Sequence, residues 1–156
     1  MTRAGFWRRL GAYGIDTVPI VFLIATAFYL FLGFDQTWRA YRAEPHNLQA
    51  HALFLAERNR IRDSAFLVWL IYSTVTEASA FQGTVGKRVM HILVVGSDGG
   101  RLTLRRSVGR NLAKLLSYVP FCLGFVWVAF SKQKRGWHDM IARTDVIRSP
   151  RKSVAG

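Results

Sequence analysis

Arg8-Arg9-Leu10-Gly11-Ala12-Tyr13-Gly14-Ile15-Asp16 runs directly into the apolar segment from Thr17 to Phe34. Asp16 is the one formal charge between Gly11 and Phe34, in a segment long enough to cross a hydrocarbon core of about 30 Å. An ionisable side chain near mid-bilayer costs about 2.5 to 3.5 kcal/mol, so Asp16 is expected to face a protein interior or water and to meet a partner. Phe6, Trp7, Arg8 and Arg9 make an aromatic and basic anchor ahead of it, as at a cytoplasmic interface. Arg9 and Asp16 are seven residues apart, hence about 10 Å along one helical face, so each needs a partner from another element. Pro19 is expected to free a backbone carbonyl close to Asp16.

The hydrophobic content of 51%, the mean hydropathy of +0.14 and the four prolines in 156 residues point to one compact integral membrane domain. Its apolar residues are clustered in runs rather than spread at soluble-helix period. The formal charge of +13 sits in Lys and Arg blocks beside those runs, the pattern of cytoplasmic flanks. No stacking aromatics alternate with the basic residues, which argues against nucleic acid. A cleaved signal peptide fits poorly, because the apolar run is too long, contains Asp16 and ends in Gly33-Phe34-Asp35 without a small-x-small site. The lone Cys122 lies in an apolar run and reads as a packing residue.

Between Asp35 and Asp63, five arginines face four acids, a balance that suits an outside loop. Pro45 should break the chain there, and Asn47 can cap an amphipathic helix carrying Leu48, Ala52 and Leu55. His46 and His51 have no carboxylate or Cys at ligand spacing, so no metal site is expected. The second span is read over about 64–81, with Ser73 and Thr76 on the side of Glu77. Glu77 is either a second intramembrane carboxylate or an interfacial acid pairing with Lys87 or Arg88.

From Gln82 to Asn111 the chain is strongly cationic, against Asp98 alone, and reads as cytoplasmic. Val89 to Val95 followed by Ser97-Asp98-Gly99-Gly100 predicts a short hairpin continuing through Leu102. Gly83-Thr84-Val85-Gly86-Lys87-Arg88 lacks the glycine spacing and the hydroxyl of a phosphate loop, which argues against nucleotide binding. Thr103 can cap a helix whose basic face is Arg106, Arg110 and Lys114. That face is expected either to lie on anionic lipid or to give Asp16 or Glu77 a cation. The third apolar run, Leu112 to Phe130, has basic flanks on both sides and reads as a re-entrant hairpin or a third span. The fold class expected is thus an all-α membrane protein of two transmembrane helices plus this third segment, with a short cytoplasmic β-hairpin.

Taken together, these stretches resemble the RDD family of small bacterial membrane proteins. The family is named for an Arg and an Asp in the first span and an Asp after the third apolar segment. Arg9 to Asp16 is similar to the first signature and Gly136-Trp137-His138-Asp139-Met140 to the last. Glu77 to Arg88, Arg110-Asn111-Leu112 and Ser131 to Gly136 also match, while Gly11, Gly14 and Trp137 depart from the usual residues. The resemblance implies that residues 1–148 form the RDD-type domain, with 149–156 a disordered basic tail. It makes Arg9, Asp16 and Asp139 the signature charge network, beside the polar candidates Glu77, Arg110, Lys114, Thr76 and Ser73.

Two functions are expected from this pattern. One is a small cation/proton exchanger working as an oligomer, in which Asp16, with Glu77 or Asp139, binds either a proton or a cation. The other is a non-catalytic accessory or assembly subunit of a larger membrane complex, whose charges fix its helices. No catalytic residues, cofactor or metal are expected, since no signature of an enzyme site is present. The expected location is the bacterial cytoplasmic (inner) membrane, multi-pass, with the N-terminus and 82–111 inside and 35–63 outside. The expected partners are anionic lipid and either a homo-oligomer or a larger complex.

Overall fold

The computed structural model describes residues 2–118 and 136–149. Helix α1, Phe6–Phe31, has 26 residues and stays helical through Pro19, for a length of about 39 Å. Only 6% of its most apolar 18-residue stretch is buried within the protein. A core helix of a soluble fold would be mostly covered, whereas a lipid-facing one is bare. By length and composition, α1 is the one helix among the described residues able to cross a membrane.

The chain divides into two compact units, Met1–Asp16 with Leu70–Gly156, and Thr17–Trp69. In the second of these, Gly33 adopts a left-handed φ of 76° and starts α2, Phe34–Ala43, where the sequence reading expected loop. Its aromatic side packs on α3, Leu48–Ala78. Tyr41 stacks on Phe54 at 4.5 Å and Trp38 lies 5.6 Å from the same ring. The Asn47 side chain caps α3, accepting from the Gln49 and Ala50 amides at 2.9 and 3.2 Å. The amphipathic helix and the second apolar run are one continuous helix of 31 residues.

The other unit holds the ends of α1 and α3 together with five further elements. These are α4, Val85–Val89, β1, Ile92–Gly96, α5, Leu104–Tyr118, α6, Trp137–Ile141, and β2, Thr144–Arg148. The expected local hairpin through Leu102 does not form. β1 pairs antiparallel with the distant β2, Ile92 opposite Arg148 and Gly96 opposite Thr144. The turn after Gly96 is present, its amide donating to the Gly100 carbonyl at 2.9 Å. Leu102 then goes into the core and Thr103 caps α5 through the Arg106 amide at 3.4 Å. The free edge of β2 takes a bridge from Arg3 to Ile147, and the Ala4 amide donates to Val146 at 2.8 Å.

Alternate residues of β1 and β2 face the core, where Ile92, Val94 and Val146 close on Ala4, Ala12 and Leu102. α1 is therefore fastened to the sheet at its first turns. Of the third apolar run, the portion to Tyr118 continues α5, while 119–130, with the re-entrant or spanning alternatives, lies outside the described residues. So does the tail beyond 149.

Candidate functional site

Glu77 occupies the last turn of α3 with none of its surface exposed. A bare carboxylate there would cost several kcal/mol, so the surroundings must supply cations. They come from two helices. α4 brings Lys87 to Oε1, and α5 brings Arg110 to Oε2 at 2.7 Å and Lys114 to Oε1 at 3.4 Å. Arg110 and Lys114 are four residues apart on α5 and therefore share its inner face.

Arg110 continues the network. Its Nη2 and Nε donate to Asp139 Oδ1 at 2.8 and 3.2 Å, and Nε also reaches Thr144 Oγ1 at 3.2 Å. Asp139, fully buried at the start of α6, accepts from the Gly136 amide at 3.2 Å and from Arg9 of α1. Arg9 in turn donates to the Ala4 carbonyl at 3.3 Å. Lys87, Glu77, Arg110, Asp139 and Arg9 thus form one continuous ionic chain through α4, α3, α5, α6 and α1.

A layer of neutral groups surrounds it. Asn111 donates to Glu77 at 3.4 Å and to the Ser107 carbonyl at 3.0 Å, and accepts from Lys114 and from Ser73 at 3.1 Å. The Ser107 hydroxyl donates to the Thr74 carbonyl at 2.8 Å, joining α5 to α3. Thr76 stays outside the cluster, its hydroxyl turned back to the Tyr72 carbonyl at 2.7 Å.

Asp16 sits in a cradle of its own. Its carboxylate accepts from the Gly86 amide at 2.8 Å, from the Thr84 hydroxyl and from the Tyr72 hydroxyl at 3.3 Å. Tyr72 is itself held by the Val85 amide, which donates to its oxygen at 2.8 Å. Among the described residues Asp16 has no ion pair, so the cation sought for Asp16 or Glu77 goes to Glu77. A Cβ at Gly86 would lie 2.2 Å from the Ala12 carbonyl and 2.9 Å from the Asp16 carboxylate. Only glycine lets α4 approach α1 this closely.

Lys87 and Arg110, outside the spanning segments, have shifted titrations. Burial lowers the Lys87 ammonium below the usual lysine range, against the pull of the Glu77 carboxylate. Burial also opposes charge on Arg110, but Glu77 and Asp139 outweigh it and hold the guanidinium above its ordinary value.

The structure therefore brings Arg9, Glu77, Arg110, Lys114, Ser73 and Asp139 together, with Asp16 in a separate cradle on α4. Sequence reasoning missed Tyr72 and Thr144, and named Asn111 only within a stretch similar to the family, because these residues carry no charge to mark them. It passed over Thr84 and Gly86 for a different reason. It weighed them as phosphate ligands, whereas they turn the same donors onto a carboxylate of the chain itself.

The chain is similar to two proteins of Bacillus subtilis (strain 168). The "Uncharacterized protein YxaI" is 32% identical over 148 residues, covering 92% of this chain and 96% of that protein. The "Uncharacterized protein YckC" is 28% identical over 148 residues, covering 92% of this chain and 83% of its own length. No solved structure matches. The model of the RDD family matches residues 3–143, a range that contains Arg9, Asp16, Glu77, Lys87, Arg110, Lys114 and Asp139. With that match across nearly its full length, the chain belongs to the RDD family.

Proposed function

We propose that this chain is an assembly subunit of the bacterial cytoplasmic (inner) membrane, in which the ionic chain is a structural latch. In this reading α1 and the later half of α3 cross the bilayer. The N-terminus and 82–111 lie inside, and 35–63 outside. The latch fixes the cytoplasmic ends of both helices against α4, α5, α6 and the sheet, presenting a rigid surface to a larger complex. It performs no chemistry of its own.

The observation that carries this reading is the saturation of the buried carboxylates. Glu77 has three cations within ion-pair distance. Asp139 is bridged by Arg9 and Arg110, and Asp16 by two hydroxyls and an amide. A cation/proton exchanger needs a carboxylate that trades a proton for a cation. Glu77 and Asp139 are poorly placed to do so, because an arriving cation meets resident ones, and the acceptor sites of Asp16 are occupied by neutral donors.

Native mass analysis of the protein, extracted gently from its own membrane, tests the reading. A stoichiometric complex with another membrane protein is the expected result. A lone monomer, or a homo-oligomer with nothing else bound, would overturn it.

A further inference from the structure

α5 wears its two faces inside out. Ser107, Arg110, Asn111, Ala113 and Lys114 are buried, while Leu104, Val108 and Leu112 are 58%, 41% and 47% exposed. The three apolar residues are each four apart, so they form a single stripe about 12 Å long. Arg105 adjoins the stripe and Arg101 precedes it, both exposed. Neither has an ion-pair partner among the described residues, and α5 itself contains no acid. α4 repeats the pattern, with Val85 and Val89 exposed by 63% and 56% beside an exposed Arg88.

An apolar stripe edged by unpaired arginines is unfavourable against bulk water and favourable at one kind of surface. A bilayer interface offers acyl chain to the aliphatic residues and phosphate to the guanidinium groups at about the same depth. The charge of the edge selects the lipid: phosphatidylglycerol or a similar anionic headgroup. We propose that α5 lies in the headgroup layer of the membrane. Leu104, Val108 and Leu112 enter the acyl boundary, and Arg101 and Arg105 hold anionic headgroups. The sequence reading left the opposite face, Arg106, Arg110 and Lys114, either to lie on anionic lipid or to give Asp16 or Glu77 a cation. Arg110 and Lys114 are instead committed to Glu77. The proposal does not depend on the assembly reading, since a carrier would need the same seat in the lipid.

The test uses the full chain carrying Cys122→Ala, with a nitroxide on Val108→Cys or, as a contrast, on Arg106→Cys, in bilayers of phosphatidylcholine with phosphatidylglycerol. Oxygen is expected to relax the label at 108 more strongly than a water-soluble nickel chelate does, and the reverse is expected at 106. Native mass spectra should show phosphatidylglycerol retained over phosphatidylcholine. Arg101→Gln with Arg105→Gln should lower that preference by about fivefold per arginine. A label at 108 open to the nickel chelate would overturn the proposal. So would an unchanged lipid preference, or a label shielded from both reagents by a co-purified protein. Arg101, Arg105, Arg106 and Val108 are all exposed, so circular dichroism of each variant should match that of the Cys122→Ala parent.

Discussion

Arg110 and Asp139, 29 residues apart in sequence, meet through two hydrogen bonds, from Nη2 at 2.8 Å and from Nε at 3.2 Å. The remaining arm of the same guanidinium reaches Glu77 at 2.7 Å. One planar cation therefore ties α3, α5 and α6 together, and Arg9 extends the tie to α1. Such a fork cannot be reproduced by the point charge of a lysine.

Arg110→Met should leave Glu77 and Asp139 short of their shared cation and cost about 3 to 5 kcal/mol of stability. Arg110→Lys should recover only part of that. Thermal unfolding in mild detergent, followed by near-ultraviolet dichroism, measures both. Replacing Glu77, Arg110 and Asp139 together with apolar residues of similar volume should not recover the loss, because Lys87, Lys114 and Arg9 are then stranded without their carboxylates.

Asp16→Asn keeps the shape of the side chain but sets an amide where an acceptor faced the Gly86 N–H or the hydroxyls. The expected loss is about 1 to 3 kcal/mol, with no compensating gain elsewhere. Gly86→Ala should be worse, since the added methyl meets backbone at the Ala12 carbonyl. Yield of folded protein in membranes is the readout, and wild-type yield from Gly86→Ala would show that α4 does not sit against α1.

Lys87 gives a pH dependence with a definite sign. Its folded value is depressed below the ordinary 10.5, so between the two the unfolded chain binds more protons. Stability gains a term that rises with pH through that alkaline window and is flat below it. Comparing unfolding of the wild type and Lys87→Met from neutral pH to about pH 10 isolates the term. The variant should show the shallower rise, and a steeper one would reverse the assignment.

Tyr41→Ala removes the ring stacked on Phe54 and should loosen α2 from α3 without touching the ionic chain. An aromatic pair is worth about 0.5 to 1.5 kcal/mol beyond its buried area. Faster proteolysis confined to 34–47, with the rest of the protein resistant, is the expected outcome.

What could be read from sequence was what carried an energetic anomaly or a local cap. Asp16 and Glu77 stood out because charge inside apolar runs needs a partner, and Asn47 and Thr103 because their side chains cap the helices that follow. The partner of β1 was illegible, since Thr144–Arg148 lies far along the chain and Leu102 looked like the continuing strand. α2 was hidden by its polarity, its aromatic stripe of Phe34, Trp38 and Tyr41 making sense only against Phe54. The donors around Asp16 were hidden because Tyr72, Thr84 and a glycine amide are neutral, and a buried carboxylate suggests a cation first.

Proton-coupled sodium or potassium flux in proteoliposomes of the purified chain tests the structural role of the cluster most directly. The wild type is expected to give no flux above empty vesicles. A flux that Asp16→Asn or Glu77→Gln abolishes, in protein that remains folded, would contradict the latch and make these carboxylates a transport site.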